Sequence, residues 1–517
     1  MIWRLALALV LVASNGSVSL VGVYPNPATP GDAGEFVVLE IEEGAALDEY
    51  ALTDGEDTVD LPNGSTEGTV AVTDDPRVAS RLTEYPTLVI EKGLALSNGG
   101  ETVTLLRDGD PVSTLSYDRA PTAEVWDGES WTPLGSTDFP IALSTDVPVT
   151  AFSLPDTPAV PREHVEGADR RILLAGYTVS SPAITDALLD AHRRGVEVEV
   201  LVEESPVGGT SAAQIRALDR LSAGGVEVTA IGGPRDRYRY HHAKYAVVDD
   251  TVLVTTENWK PAGVGGKASR GWGVVIEDAS LADHMERVFA EDSEWDDGRA
   301  WESLSPEGRS DTVADGRYHT RFEPVESTAP SAEVLLAPDN AEGAMVTYME
   351  DADESIRIQQ VTIDEDGPLL DAAVDAARRG VSVRVLLGGA WYVEDDNVAL
   401  VENLTRQAET EDLPLAARLV EPRSRYDRLH AKGVVVDEHH AVVGSLNWNP
   451  TALRENREVA VVVSDPSVGR YYTRLFRADW RGAAWRLQWS MLAGVVVAVI
   501  GALVFARTVD FDGTTDA

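Results

Sequence analysis

Two copies of one short pattern carry most of the chemistry in this chain. They are His242, Lys244 and Asp249 in HHAKYAVVDD, and His430, Lys432 and Asp437 in LHAKGVVVDE. In each copy the histidine and lysine stand two residues apart at the head of an apolar run. A strand repeats its side-chain direction every two residues, so imidazole and ammonium emerge on one face and can converge on one anion. Asn258 and Asn447 follow on the next strand of each copy, in ENW and LNW. Residues 92, 244, 260, 267 and 432 are the five lysines among 43 basic residues, and two of them occupy matching places in the two copies. A lone histidine on an apolar strand is usually structural; two in register beside retained lysines are not a chance pattern.

The elements that must position these groups are themselves repeated. ITDALLDAHRRGVEVEVLVEE (184 to 204) and LLDAAVDAARRGVSVRVLLGG (369 to 389) each read as an amphipathic helix, a glycine stop at Gly195 or Gly380, and an apolar strand. Two α/β halves are therefore expected, at 165–290 and 332–480, joined by a polar, acidic linker at 291–331. A proline-containing connector is expected at 145–163.

The repeat with its two H-x-K-x4-D motifs resembles the phospholipase D superfamily, the two-motif kind, over about residues 165 to 480. The second copy matches the extended pattern, with Gly444, Ser445 and Asn447 after the aspartate and Glu458 in NREVAVVV. The first copy departs from it: its turn is one residue shorter, Thr255 and Thr256 stand where glycine and serine are expected, and Gly271 takes the place of Glu458. The resemblance implies a metal-independent phosphodiesterase or phosphatidyltransferase without cofactor, working through a phosphohistidine. His242, Lys244, Asp249, His430, Lys432 and Asp437 form its catalytic set; Asn258, Asn447 and Ser445 bind the substrate phosphate, and Glu458 supports. The residue types fit that chemistry, because lysines and amides neutralise and orient phosphate oxygens, one histidine can attack phosphorus and the other can protonate the leaving oxygen. His242 is assigned as nucleophile and His430 as general acid; the aspartates read better as orienting groups. His241, His439 and His440 do not make a convincing metal site, and Tyr238 and Tyr426 are read as stacking on substrate or packing in the core.

Residues 20–120 lack helical periodicity and show short β-type runs at Glu35 to Ile41, Thr87 to Ile90 and Thr102 to Leu106, the mark of an all-β sandwich needing no helix. GEFVVLEI, YALTDGED and GGETVTLLRDGDPVSTLSYD resemble the lamin-tail type of immunoglobulin-like domain. At the ends, residues 1–18 read as a secretory signal peptide, and Trp489 to Ala506, uncharged over its whole length, as a transmembrane helix before a short tail at 507–517. The expectation is a multidomain, single-pass protein of the cell membrane with its catalytic halves extracellular, and no stable protein partner.

Composition sets the outer limits. Acidic residues number 86 against 43 basic, a net charge of −43, which reads as adaptation to high salt. With no cysteine, disulfides, thiolate nucleophiles and zinc-thiolate sites are excluded. Phospholipid headgroups and nucleic acid remain as phosphodiester substrates, lipid slightly favoured, with a non-catalytic binding protein as a third reading.

Overall fold

The computed structural model describes residues 17–482, apart from 28–32, 65, 84, 93–94, 233–236, 296, 311–312 and 423–424. The body of the expected signal peptide and the stretch Trp489 to Ala506 lie outside the described residues. Among the described residues no helix is long and apolar enough to cross a membrane, which overturns the expected single-pass membrane placement with extracellular catalytic halves. The longest of these helices, Glu394–Glu411, has 18 residues and opens on Glu394, Asp395 and Asp396; three carboxylates in one turn belong in water.

The N-terminal region is built from two antiparallel-rich sheets. One contains Val18–Tyr24, Phe36–Ile41 and Gly68–Thr73, the other Tyr50–Thr53 and Glu101–Arg107. Alternation sends Val23, Leu39, Leu52, Val103 and Leu105 into a core that the two sheets share. A short helix, Pro76–Leu82, does interrupt the strands: Asp75 caps it by accepting from the Val78 amide, and Pro76 presets its first turn. The region docks on the remainder of the chain through Glu124 and Arg454, 2.9 Å apart.

Among the described residues, the further strands join one sixteen-stranded sheet with two matching halves. In the first half the order inward is Glu227–Ile231, Glu197–Glu203, Arg171–Gly176, Lys244–Val248, Thr251–Thr255 and Ser269–Glu277. In the second it is Leu415–Leu419, Ser382–Leu387, Ser355–Gln360, Gly433–Val436, His440–Gly444 and Glu458–Ser464. Between them, Ala142–Leu154 and Val325–Ala337 pair antiparallel, from Ala142 opposite Val334 to Ala151 opposite Val325. The segments at 145–163 and 291–331, expected as connector and linker, thus contribute to the two central strands, and helix Ala159–Glu166 follows the first. Their outer ends alternate exposed Ser, Thr, Asp and Glu with proline, a loop-like composition. Burial becomes continuous only at Ala151–Leu154 and Val334–Ala337.

Helices Pro182–Arg194 and Pro368–Arg378 cover the parallel strands of their halves. Ser181 caps the first, and Gly195, at φ +95°, ends it in the left-handed region where a side chain is costly. The inner face is one core common to both halves, in which Val149, Trp272, Val334, Val461 and Tyr472 are buried together. Trp272 stacks on Tyr472 with ring centroids 4.4 Å apart. A Cβ on Gly433 would fall 2.2 Å from the Trp272 ring, so the residue after Lys432 must be small for the halves to close.

Candidate active site

The site is formed where the two halves exchange backbone contacts. The His242 amide donates to the Arg457 carbonyl at 2.9 Å, and the His430 amide to the Arg270 carbonyl at 3.0 Å, so each histidine is positioned by the opposite half. Lys244 and Lys432 start or precede their strands and each donates to the carbonyl of its own histidine, Lys432 at 3.1 Å. Both ammonium groups are buried, and both histidines respond to both lysines electrostatically, which places the four groups in one charge environment.

His242 Nδ1 lies 2.7 and 2.9 Å from the two oxygens of Glu458. Burial on its own raises Glu458, but His242, its hydrogen bond and Lys244 outweigh burial and hold the carboxylate below its ordinary range. Burial pushes His242 down to about 4; Glu458 opposes the shift while Lys244 and Lys432 reinforce it. The resting imidazole is therefore neutral near pH 7, and Nδ1–H donated to Glu458 leaves the Nε2 lone pair available. Tyr177 closes over this side, edge to face with His242 at 4.7 Å and 5.4 Å from Lys244 Nζ.

His430 has a different setting. Its Nδ1 is 3.1 Å from the Thr256 carbonyl oxygen and 3.4 Å from Glu257 Oε2. Burial, then Lys432, Lys260, Lys244 and Arg428, push its pKa well below the usual histidine value. Burial also takes Lys432 down to about 8, against Glu257 and Glu458. Glu257 is fully buried, its carboxylate oxygens have no hydrogen-bond partner, and burial raises its pKa although four nearby cations pull the other way.

Glu257 answers the departure noted at Gly271. In the second half Glu458 occupies the strand position that Gly271 holds in the first, and Leu446 occupies the position of Glu257. A Cβ built on Gly271 would lie 2.2 Å from Glu257 Cγ and 2.7 Å from Oε1. The Glu257 side chain thus fills the volume that a glutamate on the neighbouring strand would need. The acid is retained but has moved one strand over. Sequence reading missed it because alignment by position sees only a glycine; the one available signal was an acidic residue directly before Asn258.

The threonines at 255 and 256 raise no difficulty. Thr256 Oγ1 accepts from the Trp272 amide at 3.0 Å, as Ser445 Oγ accepts from the Val459 amide at 3.0 Å. Ser445, expected on the phosphate, instead ties two strands together and is fully buried. Asn258 and Asn447 keep the phosphate expectation on residue chemistry, since an amide NH2 can donate to a phosphate oxygen; their side-chain oxygens, buried without a hydrogen-bond partner, are acceptors and would not make that contact.

Asp249 and Asp437, carried in the expected catalytic set, lie at the far ends of the strands that begin beside the histidines. Five residues at about 3.3 Å each put Asp249 on the order of 16 Å from Lys244. Asp249 accepts from the amides of Asp169, Arg170 and Arg171 at 2.8 to 3.1 Å, and Asp437 from Asp353, Glu354 and Ser355 at 2.6 to 2.9 Å. Each clamps a strand start from a turn in which its own φ is positive, +53° and +52°. Tyr238 and Tyr426 are core residues beneath buried guanidinium groups: Arg457 lies 4.6 Å from the Tyr238 ring and Arg270 4.7 Å from that of Tyr426. His241 points to Asp292, 3.2 Å away, and His439 and His440 pack on each other at a turn.

Two matching α/β halves joined in one sheet, each holding the other's histidine and each bringing a His and a Lys into one charge environment, define a phospholipase D-like enzyme of the phosphodiesterase or phosphatidyltransferase class. A family model described as cardiolipin synthase, PLD-like domain, matches residues 162–293 and 345–480, and the chain belongs to this phospholipase D-like family. Cardiolipin synthase B of Salmonella typhi is 24% identical over 342 residues, covering 62% of this chain and 76% of that protein. The Escherichia coli K12 protein of the same name is 25% identical over 316 residues, 57% and 69% of the two chains. Mitochondrial cardiolipin hydrolase of Xenopus laevis is 38% identical over 95 residues, 18% of this chain and 41% of that one.

Proposed function

We propose that this protein is a phosphatidyltransferase or phospholipase acting on phospholipid headgroups through a phosphohistidine, with His242 as nucleophile. The observation that carries the reading is the unequal pair of histidine settings. His242 Nδ1 is held by an ionised carboxylate, which fixes the tautomer and stabilises positive charge as Nε2 attacks phosphorus. The leaving headgroup oxygen takes a proton from His430. In the second step His430 removes a proton from water or an alcohol, which attacks phosphorus, breaks the P–N bond and frees His242. Lys244, Lys432, Asn258 and Asn447 neutralise and orient the non-bridging oxygens. Glu257 is a positioning residue for His430: its raised pKa lets it share the proton that His430 must deliver.

The relatives named for cardiolipin chemistry support lipid over nucleic acid. The N-terminal β region fits a lamin-tail-like immunoglobulin-type module serving as a spacer. The test is headgroup release and transfer from phospholipid vesicles in the presence of chelator. His242→Asn and His430→Asn should each lower kcat by about 10³-fold, and a radiolabelled phosphatidyl group should be trapped on His242. Activity surviving both substitutions, or label on His430 alone, overturns the assignment.

A further inference from the structure

Near His430, whose neighbour Arg428 lines it, lies a cavity of about 400 Å³; among the described residues its charged lining is Arg216, Arg220, Lys260, Arg309 and Arg428, with no acid. In a chain with twice as many acids as bases, such a lining is far from its average surface. Arg220 is tied to Asp186 at 2.7 Å, but Arg216, Arg309 and Arg428 make no salt bridge among the described residues. Arg309 donates to the Gly209 carbonyl and Arg428 reaches Ser269 Oγ at 3.4 Å, both neutral partners, while Glu257 acts on Arg428 only electrostatically. Five cations gathered with few counter-charges among the described residues repel one another, an arrangement that an anionic ligand would stabilise.

The cavity is specific to one half. Lys260, another of the five lysines, directly follows Trp259, where the second half has Asn449 after Trp448. Arg216 and Arg220 lie on helix Ala212–Ala223, whereas helix Glu394–Glu411 of the other half opens on three acids. Two of its cations are felt electrostatically at the reaction centre: Lys260 and Arg428 both act on His430, and Lys260 acts on Lys432.

We infer that this cavity binds a second phosphate, one borne by the substrate or acceptor in addition to the phosphodiester being cleaved. Guanidinium groups suit a phosphate because they offer paired donors in its own geometry. A volume of this size admits a glycerol phosphate group. An anion there would also offset Lys260 and Arg428, whose charges add to burial and Lys432 in lowering His430.

The inference rests on the transfer chemistry proposed above, and two measurements separate them. In the first, kcat/KM is compared for phosphatidylglycerophosphate and phosphatidylglycerol, which differ by one phosphate. The ratio should favour the former, and should fall about tenfold or more in Arg216→Ser/Arg309→Ser, while Arg406→Ser on an exposed helix of the other half leaves it in place. An unchanged ratio in the double variant overturns the proposal. In the second, equilibrium dialysis with sn-glycerol 3-phosphate and with inorganic phosphate uses the His242→Asn/His430→Asn protein and needs no turnover. Saturable binding lost with Arg216 and Arg309 supports the site, the tighter probe identifying its source. Absence of saturable binding rejects it, even if the enzyme proves active.

Discussion

At the residue scale the two histidines differ in what holds Nδ1. His242 has a carboxylate in direct contact with both oxygens; His430 has a carbonyl, with Glu257 slightly farther away. If Glu257 serves His430 as Glu458 serves His242, then Glu257→Gln should reduce kcat by about 10²-fold with a much smaller change in KM. Moving the acid to its position in the other half, by Glu257→Leu with Gly271→Glu, should restore much of the activity, because Leu446 and Glu458 coexist in that arrangement. A double variant no better than Glu257→Gln, with an unaltered melting profile, means that Glu257 acts in some other way. Gly271→Glu alone should be harmful, since its Cβ collides with the Glu257 side chain.

At the element scale, the H-x-K-x4-D pattern joins two jobs at opposite ends of one strand. Its front end supplies the imidazole and ammonium, and its rear aspartate anchors the neighbouring strand by accepting three backbone amides. Charge-assisted bonds of this kind, lost together, cost on the order of 2 kcal/mol or more. Asp249→Ala should therefore lower the denaturant midpoint, while turnover per folded molecule stays close to that of the unmodified enzyme. His242→Asn should show the reverse pattern. A loss of kcat in Asp249→Ala at an unchanged midpoint would return this residue to the reaction. The paired 13-residue strands at the centre have an equally mixed character: their polar outer ends hid them in the sequence, and their inner ends carry the core that joins the halves.

At the scale of the whole molecule, a charge of −43 repels itself, and salt that screens it would favour the compact state. Lys244, Lys260 and Lys432, with Arg216, Arg309 and Arg428, gather around the reaction centre and the adjoining cavity, whereas Lys92 pairs with Asp57 in the N-terminal region. The thermal midpoint should rise as KCl goes from about 0.1 M to about 2 M; a midpoint indifferent to salt removes the basis for reading the acidity as a salt adaptation. The pseudo-twofold makes one site out of two halves, and neither half is complete, because each histidine is held by backbone and by an acid from the other.

The sequence by itself determined the repeat, its helix–glycine–strand units, the paired His, Lys and Asn residues and the family they resemble, because each is a local pattern with a fixed spacing. It also exposed the lysine shortage against which Lys244 and Lys432 stand out, whereas Lys260, counted among the five, has no motif that ties it to the site. Only the tertiary structure decided that the aspartates clamp strands, that Ser445 binds backbone, that the segments at 145–163 and 291–331 enter the central sheet, and that Glu257 fills the space above Gly271. These are matters of which strands become neighbours. A side chain from one strand can occupy the volume vacated on the next, and no spacing along the chain records that exchange.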